Sequence, residues 1–207
     1  MTKEQLIKKV YRCIDETYPD TTEQDLEEFN IPAFLDEAVR WVVNVVPVGA
    51  LGGGVDKTLE ANPEEGEEGD VSLLLGEDFL RLIEFKMKGW KTSVTQALSK
   101  DNPKYWQQQN PALRGGNSRP VVFLVNGASN AKKLEVCPLS DKVEVFRVFE
   151  MEISGDGSYT VNAYSNYPDK LLDITAWKTA ELVFSMMQDA NGVSVAQAHI
   201  QQILPTL

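Results

Sequence analysis

Apolar residues recur at helical spacing near the N-terminus. Leu6, Val10 and Ile14 repeat every four residues, which predicts a helix over Leu6 to Ile14. A broader apolar stripe predicts a second helix over Phe34 to Val45, with Pro32 in its first turn. Helices this short are marginal alone, so each is expected to pack against another apolar face.

The same spacing returns near the C-terminus. Pro168 precedes a predicted helix that carries an apolar face from Leu172 to Met187. Asn191-Gly192 is expected to break this helix, and a last helix is predicted over Val195 to Ile203. The four predicted helices are therefore expected to form one bundle from the two ends of the chain.

In the middle of the chain the hydrophobic period changes to two. Ile83, Phe85 and Met87 alternate with charged residues, which predicts a half-buried strand. Asn102 to Ser118, rich in Gln, Asn, Pro and Gly, is expected to be an extended loop. Further strands of an antiparallel meander are predicted at Pro120 to Val125, Leu134 to Cys137, Val143 to Ile153 and Tyr159 to Tyr164.

The predicted fold class is α+β, with terminal helices in one bundle, a central antiparallel β-sheet insertion and long loops. We expect a single domain over residues 1–207, helical at 1–48 and 168–204. The β insertion is expected at 71–165, and an acidic loop arm at 49–70.

The arm combines glycines with acidic residues and few apolar groups, which is typical of a mobile loop. Its glycines lie near Lys57, but a phosphate-binding loop needs glycine directly before the lysine, and Asp56 stands there. Nucleotide binding is therefore not expected. The acidic residues of the arm are Glu60, Glu64, Glu65, Glu67, Glu68 and Asp70.

Charge and composition narrow the function further. The chain has 207 residues, 20 basic and 31 acidic, and a net charge of −11, which disfavours nucleic acid as the main partner. Its apolar runs are too short to span a membrane, and no secretory signal is evident, so an intracellular, reducing compartment is expected. Cys13 and Cys137 lack metal-binding spacing and are expected to be buried or half-buried thiols, and no cofactor is expected.

The single histidine and one charged strand are the candidates for catalytic or metal chemistry. His199 has no companion histidine and is expected to be a structural residue of the last helix. Glu84 and Lys86 share one face of a predicted strand, about fourteen residues after Asp70, as in metal-dependent nucleases. The same pattern also keeps a strand face soluble, and we favour that explanation.

Candidate interface residues fall in three segments. Tyr105 and Trp106, with Arg114 and Arg119, could stack bases or pack against a protein, and the net charge favours a protein. The acidic arm and the apolar C-terminal tail are expected to order on assembly. Their candidate residues are Glu64, Glu65, Glu67, Glu68, Leu204, Pro205 and Leu207.

Three segments resemble tailed-phage head-to-tail connector proteins, including those of crAss-like phages. These are Ile31–Trp41 (IPAFLDEAVRW), Gly76–Trp90 (GEDFLRLIEFKMKGW) and Pro168–Leu172 (PDKLL). The arm at 49–70 has no counterpart in this resemblance.

The resemblance implies a structural virion protein in the neck, assembled in the host cytoplasm. It implies a ring of twelve copies that contacts the portal protein and other tail or connector rings. Packaged DNA would pass through the lumen without sequence-specific binding. No catalytic residue, cofactor or membrane is implied, so the protein is not expected to be an enzyme. The alternatives are a metal-dependent nuclease using Asp70, Glu84 and Lys86, and a small-molecule binding module.

Overall fold

The computed structural model describes residues 3–17, 31–52, 54–57, 64–65, 71–76, 79–110, 112–126, 132–140, 142–150, 152–153, 159–160 and 168–207. The chain divides into two compact units. Met1–Gly52 and Met151–Leu207 form the first, called here the helical unit. Gly53–Glu150 forms the second, the strand unit. The α+β class predicted from the sequence is confirmed.

The helical unit is built around one central helix. Its helices are α1 (Lys3–Thr17), α2 (Ile31–Val45), α4 (Leu172–Met186) and α5 (Ala190–Ile203). Helix α4 contacts the other three and buries nine of its fifteen residues, because it is apolar on most sides. The prediction that helices from both ends of the chain pack together is confirmed.

Polar contacts also join these helices. Lys178 Nζ of α4 lies 2.6 Å from Glu181 Oε2 and 4.7 Å from the centre of the Trp41 ring of α2. The other oxygen of Glu181 accepts a hydrogen bond of 2.9 Å from Gln197 of α5. Lys178 and Glu181 are mostly buried, so this network specifies how α2, α4 and α5 meet.

The boundary between α4 and α5 differs from the prediction. Asn191-Gly192 does not break the helix; both residues lie in the first turn of α5. The break comes earlier, where Gln188 has φ of 59° and Asp189 caps α5. The Asp189 carboxylate accepts hydrogen bonds from the N–H groups of Asn191 and Gly192, at 3.1 and 3.0 Å. These bonds make Asp189 the N-cap of α5, so the helix starts directly after it.

The strand unit contains two sheets rather than one antiparallel meander. Its strands are β1 (Val55–Asp56), β2 (Glu64–Glu65), β3 (Val71–Leu74), β4 (Phe79–Met87), β5 (Leu98–Ser99), β6 (Val121–Asn126), β7 (Lys132–Cys137) and β8 (Val143–Glu150). One sheet has the order β1-β8-β4 and the other the order β2-β3-β7-β6-β5. Strand β8 returns to β4 in the first sheet, and β5 pairs with β6 in parallel.

Two predicted loops contain regular structure. The predicted arm at 49–70 includes part of the short 3₁₀ helix Val48–Ala50, strand β1 against β8, and strand β2 against β3. Glu60, Glu67, Glu68 and Asp70 lie outside the described residues. The predicted loop Asn102 to Ser118 contains helix α3 (Pro103–Gln109) and the 3₁₀ helix Gly116–Ser118. Described parts of 151–167 form β9 (Glu152–Ile153) and β10 (Tyr159–Thr160), an antiparallel pair.

Strand β6 is buried on both faces. Val122 packs into a core shared by the two sheets, which includes Phe85 of β4 and Leu134 of β7. Val121 and Phe123 point the other way because side chains alternate along a strand. They pack under α3, so one strand joins the sheet core to the helix that carries the candidate site.

Candidate functional site

Two residues of the nuclease alternative, Glu84 and Lys86, are among the described residues, and both form ion pairs. Glu84 Oε2 lies 3.3 Å from Arg147 Nη1, and Arg147 Nε lies 2.6 Å from Asp56 Oδ1. Lys86 Nζ lies 2.8 Å from Glu144 Oε2. We call these five side chains, Asp56, Glu84, Lys86, Glu144 and Arg147, the ion-pair ladder. It crosses β1, β8 and β4.

Each charge in the ladder has an opposite charge beside it. The hydrogen bond from Arg147 to Asp56 raises the pKa of the Arg147 guanidinium above its usual value, and Glu84 adds to the effect. Asp70 lies outside the described residues. Among the side chains that are described, no three His, Cys, Asp or Glu residues converge as they would around a metal ion.

The single histidine packs as a structural residue, as predicted. His199 is half-buried on α5, and its ring stacks on Trp177 of α4 with centroids 3.9 Å apart and planes 4° apart. Cys13 is buried in α1, and Cys137 is half-buried at the end of β7, both as thiols. The predicted burial of both cysteines is confirmed.

Helix α3 gives Tyr105 and Trp106 opposite environments. Asn102 caps the helix by accepting from the Lys104 N–H at 3.1 Å, and Pro103 takes the first position, where its missing N–H costs nothing. Tyr105 is buried against the Phe123 ring, with centroids 5.1 Å apart. Trp106, one residue later, leaves 64% of its surface exposed. Thus Tyr105 attaches the helix, and Trp106 is displayed.

The turn after α3 folds back tightly at Gly115. The Asn110 side chain accepts from the Ala112 N–H at 3.0 Å and starts the turn. A Cβ atom on Gly115 would lie 2.4 Å from Cβ of Arg119, so the chain folds back on itself only because residue 115 is glycine. Arg119 therefore lies against Gly115, the residue directly after Arg114.

A cleft of about 610 Å³ lies between α3 and this turn. We call it the α3 cleft. Its lining includes three basic residues and two glutamines, and none of the described lining residues is acidic. Leu113, at its edge, is 60% exposed. The lining residues are Lys104, Gln107, Gln108, Ala112, Leu113, Arg114, Gly115, Arg119, Pro120 and Val121.

The predicted interface residues lie in separate places. Tyr105 and Trp106 belong to α3 of the strand unit, and Glu64 and Glu65 form β2 at the edge of a sheet in that unit. Glu67 and Glu68 lie outside the described residues. The tail belongs to the helical unit, where Leu204 and Leu207 are half-buried and Pro205 is exposed within the 3₁₀ turn Leu204–Thr206.

Sequence reasoning missed part of the α3 cleft. Lys104, Gln107 and Gln108 follow helical spacing, but the segment was expected to be an extended loop. The signal was present: Asn102 followed by Pro103 is a helix N-cap followed by proline at the first helical position. Recognising it would have placed all three side chains on one side of a short helix.

Comparisons of the chain with protein families, with curated proteins and with solved structures find no match. The described helices also include none with the length and apolar character that crossing a bilayer requires. The α3 cleft and the ion-pair ladder are therefore interpreted from their own chemistry.

Proposed function

We propose that this protein is a structural component that works by self-association and by binding protein neighbours. It performs no reaction in this proposal. The observation that carries the proposal is the α3 surface, where Trp106 is exposed and a separate cleft at the helix is lined by Leu113, Arg114 and Arg119. Tryptophan and arginine contribute most of the binding energy in many protein interfaces.

The ion-pair ladder supports the same proposal. Glu84 and Lys86 each contact an opposite charge on β8, so ion pairs across the sheet account for their positions. A nuclease would need these groups directed at a metal ion and a phosphate. No contact among the described residues favours that use over the ion pairs.

At finer detail, we propose that the assembly is a ring in a head-to-tail connector beneath a phage portal. This part rests on the resemblance of three segments, which correspond to α2, to β4 with its flanking residues, and to the start of α4. The proposal includes twelve copies, portal binding and a lumen through which DNA passes. A net charge of −11 suits a channel that must not retain DNA.

The proposal is tested by measuring the size of the purified full-length protein. Sedimentation velocity over a range of concentrations should show association, and negative-stain electron microscopy should show closed rings. Replacing Trp106 and Leu113 together with serine should weaken association by about 10- to 30-fold, as expected for an exposed interface tryptophan.

Leu139→Ser is the matched control because Leu139 is also an exposed leucine of the strand unit. It should leave association unchanged. A wild-type protein that stays monomeric at every concentration, or equal effects of the two variants, would contradict the proposal.

A further inference from the structure

The α3 cleft is basic on a strongly acidic protein, and this contrast points to its occupant. Lys104, Arg114 and Arg119 line the cleft, whereas the whole chain carries a charge of −11. The most acidic stretch of the chain is residues 60–70, which holds six acidic residues and no basic one. The two regions are therefore electrostatically complementary.

Sheet order separates these two regions within one copy. Strand β2, which contains Glu64 and Glu65, forms one edge of the five-stranded sheet. Helix α3 lies near the opposite edge, where Tyr105 packs on Phe123 of β6 with Leu98 of β5 beside them. Strands β3 and β7 lie between β2 and β6. The acidic strand is thus fixed at the far side of the sheet from the basic cleft.

We propose that the α3 cleft of one copy binds the acidic segment 60–70 of a second copy. The inference rests on the proposed function, since it needs self-association. Different surfaces of the two copies meet in this contact, so the copy whose cleft is filled keeps its acidic segment free, and the other copy keeps its cleft free. Such a head-to-tail contact repeats until it closes into a ring, or it continues as a filament.

The cleft offers suitable partners for a carboxylate-rich segment. Arginine binds carboxylates through two parallel hydrogen bonds, and the glutamine amides of Gln107 and Gln108 can donate to backbone carbonyls. Leu113, which is exposed, supplies apolar area beside these polar groups. Nucleic acid could also use arginine and tryptophan, but a net charge of −11 opposes the approach of a polyphosphate.

A charge swap in the full-length protein tests the contact. The first variant carries Arg114→Glu and Arg119→Glu, and the second carries Glu64→Lys, Glu65→Lys, Glu67→Lys and Glu68→Lys. Each alone should weaken association by about 100-fold or more, because like charges then face each other. An equimolar mixture of the two variants should regain association, since the reversed cleft of one fits the reversed segment of the other.

Lys88→Glu combined with Lys91→Glu is the matched control, since both lysines are exposed in the same unit and the change in net charge is equal to that of the first variant. It should associate like the wild type. Circular dichroism should confirm that every variant is folded, and a variant that is not is replaced by the neutral set Arg114→Gln and Arg119→Gln or the corresponding Glu→Gln set. The neutral sets should weaken association in the same direction.

The results separate this inference from the proposed function. If the wild type associates but the mixed variants do not regain association, the charge contact is wrong and self-association stands. If the wild type is monomeric, both fail. A fluorescent single-stranded oligonucleotide provides the last arm: tight binding by the wild type that only the cleft variant loses would assign the cleft to nucleic acid and overturn the inference.

Discussion

The ion-pair ladder and the α3 cleft belong to the same unit but arrange charge in opposite ways. In the ladder, Arg147 lies between Asp56 and Glu84, and Lys86 meets Glu144, so each charge has an opposite neighbour. In the α3 cleft, the lining charges all have one sign. Charges that are paired within the unit have little tendency to attract a partner. A group of charges of one sign attracts a partner of the opposite charge.

The two regions also depend on different sources of stability. The ladder side chains are exposed enough for water to screen them, so each pair contributes little to stability. The cleft depends on apolar burial below it, where Phe123 is fully buried under Tyr105. Removing the apolar side chain below the cleft should therefore lower the free energy of unfolding far more than removing a charge of the ladder.

The largest effect is expected from Phe123→Ala. It removes the ring on which Tyr105 packs and should lower the free energy of unfolding by about 3 to 5 kcal/mol. Chemical denaturation followed by circular dichroism measures this. Phe123→Leu is the control, which should cost about 1.5 kcal/mol or less because most of the volume is kept. A loss below about 1 kcal/mol for the alanine variant would contradict the assignment of Phe123 as the support of α3.

Gly115→Ala tests whether the tight turn positions Arg119. Its Cβ would lie 2.6 Å from the Arg119 carbonyl oxygen, so the backbone must shift, at a cost of about 1 to 3 kcal/mol. Association should weaken as well. Gly49→Ala is the control because nothing lies within 4 Å of the new Cβ, and its effect should stay below about 1 kcal/mol. Equal effects of the two variants would show that the turn has no special role.

Glu84→Gln tests the structural interpretation of the ladder. It should change the free energy of unfolding by about 1 kcal/mol or less and leave association unchanged. Wild-type protein incubated with plasmid DNA and Mg²⁺ or Mn²⁺ should leave the DNA intact. Cleavage that disappears in Glu84→Gln and in Lys86→Ala would restore the nuclease alternative and remove the contrast between the two regions.

The smallest effect concerns Tyr105 at alkaline pH. Burial raises the pKa of the Tyr105 phenol above its usual value of about 10, so folding favours the neutral form. Its contribution to stability is complete below pH 10 or so and is lost as the pH rises through the folded-state pKa. Tyr105→Phe should therefore lose stability less steeply than the wild type between about pH 9 and 11. Parallel curves in a denaturation series across this range would contradict the prediction.

Local signals predicted much of the helical unit. The apolar spacing of Leu6, Val10 and Ile14 placed α1, and all three residues are buried. The same reasoning placed α2 and most of α4. It failed at Asn191-Gly192, because Asp189 caps the helix, which starts at Ala190 and not at Val195 as predicted. Two local signals compete here, the Asp189 N-cap and the Asn191-Gly192 pair. The cap prevails because its carboxylate accepts hydrogen bonds from two backbone N–H groups.

The strand unit depended more on distant contacts. Alternation predicted β4, and a further strand was predicted at Pro120 to Val125, but neither prediction could assign a partner strand, since the pattern of a strand does not reveal its neighbour. The pairing of β1 with β8, more than ninety residues later, occurs inside a segment expected to be a loop. For the same reason, Glu84 and Lys86 could be recognised from the sequence as sharing a face, while their partners on β8 could not.

The sequence by itself determined the α+β class, most helix positions and the overall negative charge. It also indicated Tyr105 and Trp106 as candidate interface residues. Only the tertiary structure decided that one of this pair is buried and the other displayed, and that Arg114 and Arg119 meet Lys104 around one cleft. The physical reason is the distance along the chain over which each interaction acts. Caps and periodicity act over a few residues, whereas strand pairing, the packing of α3 on β6 and the close approach at Gly115 depend on residues that only folding brings together.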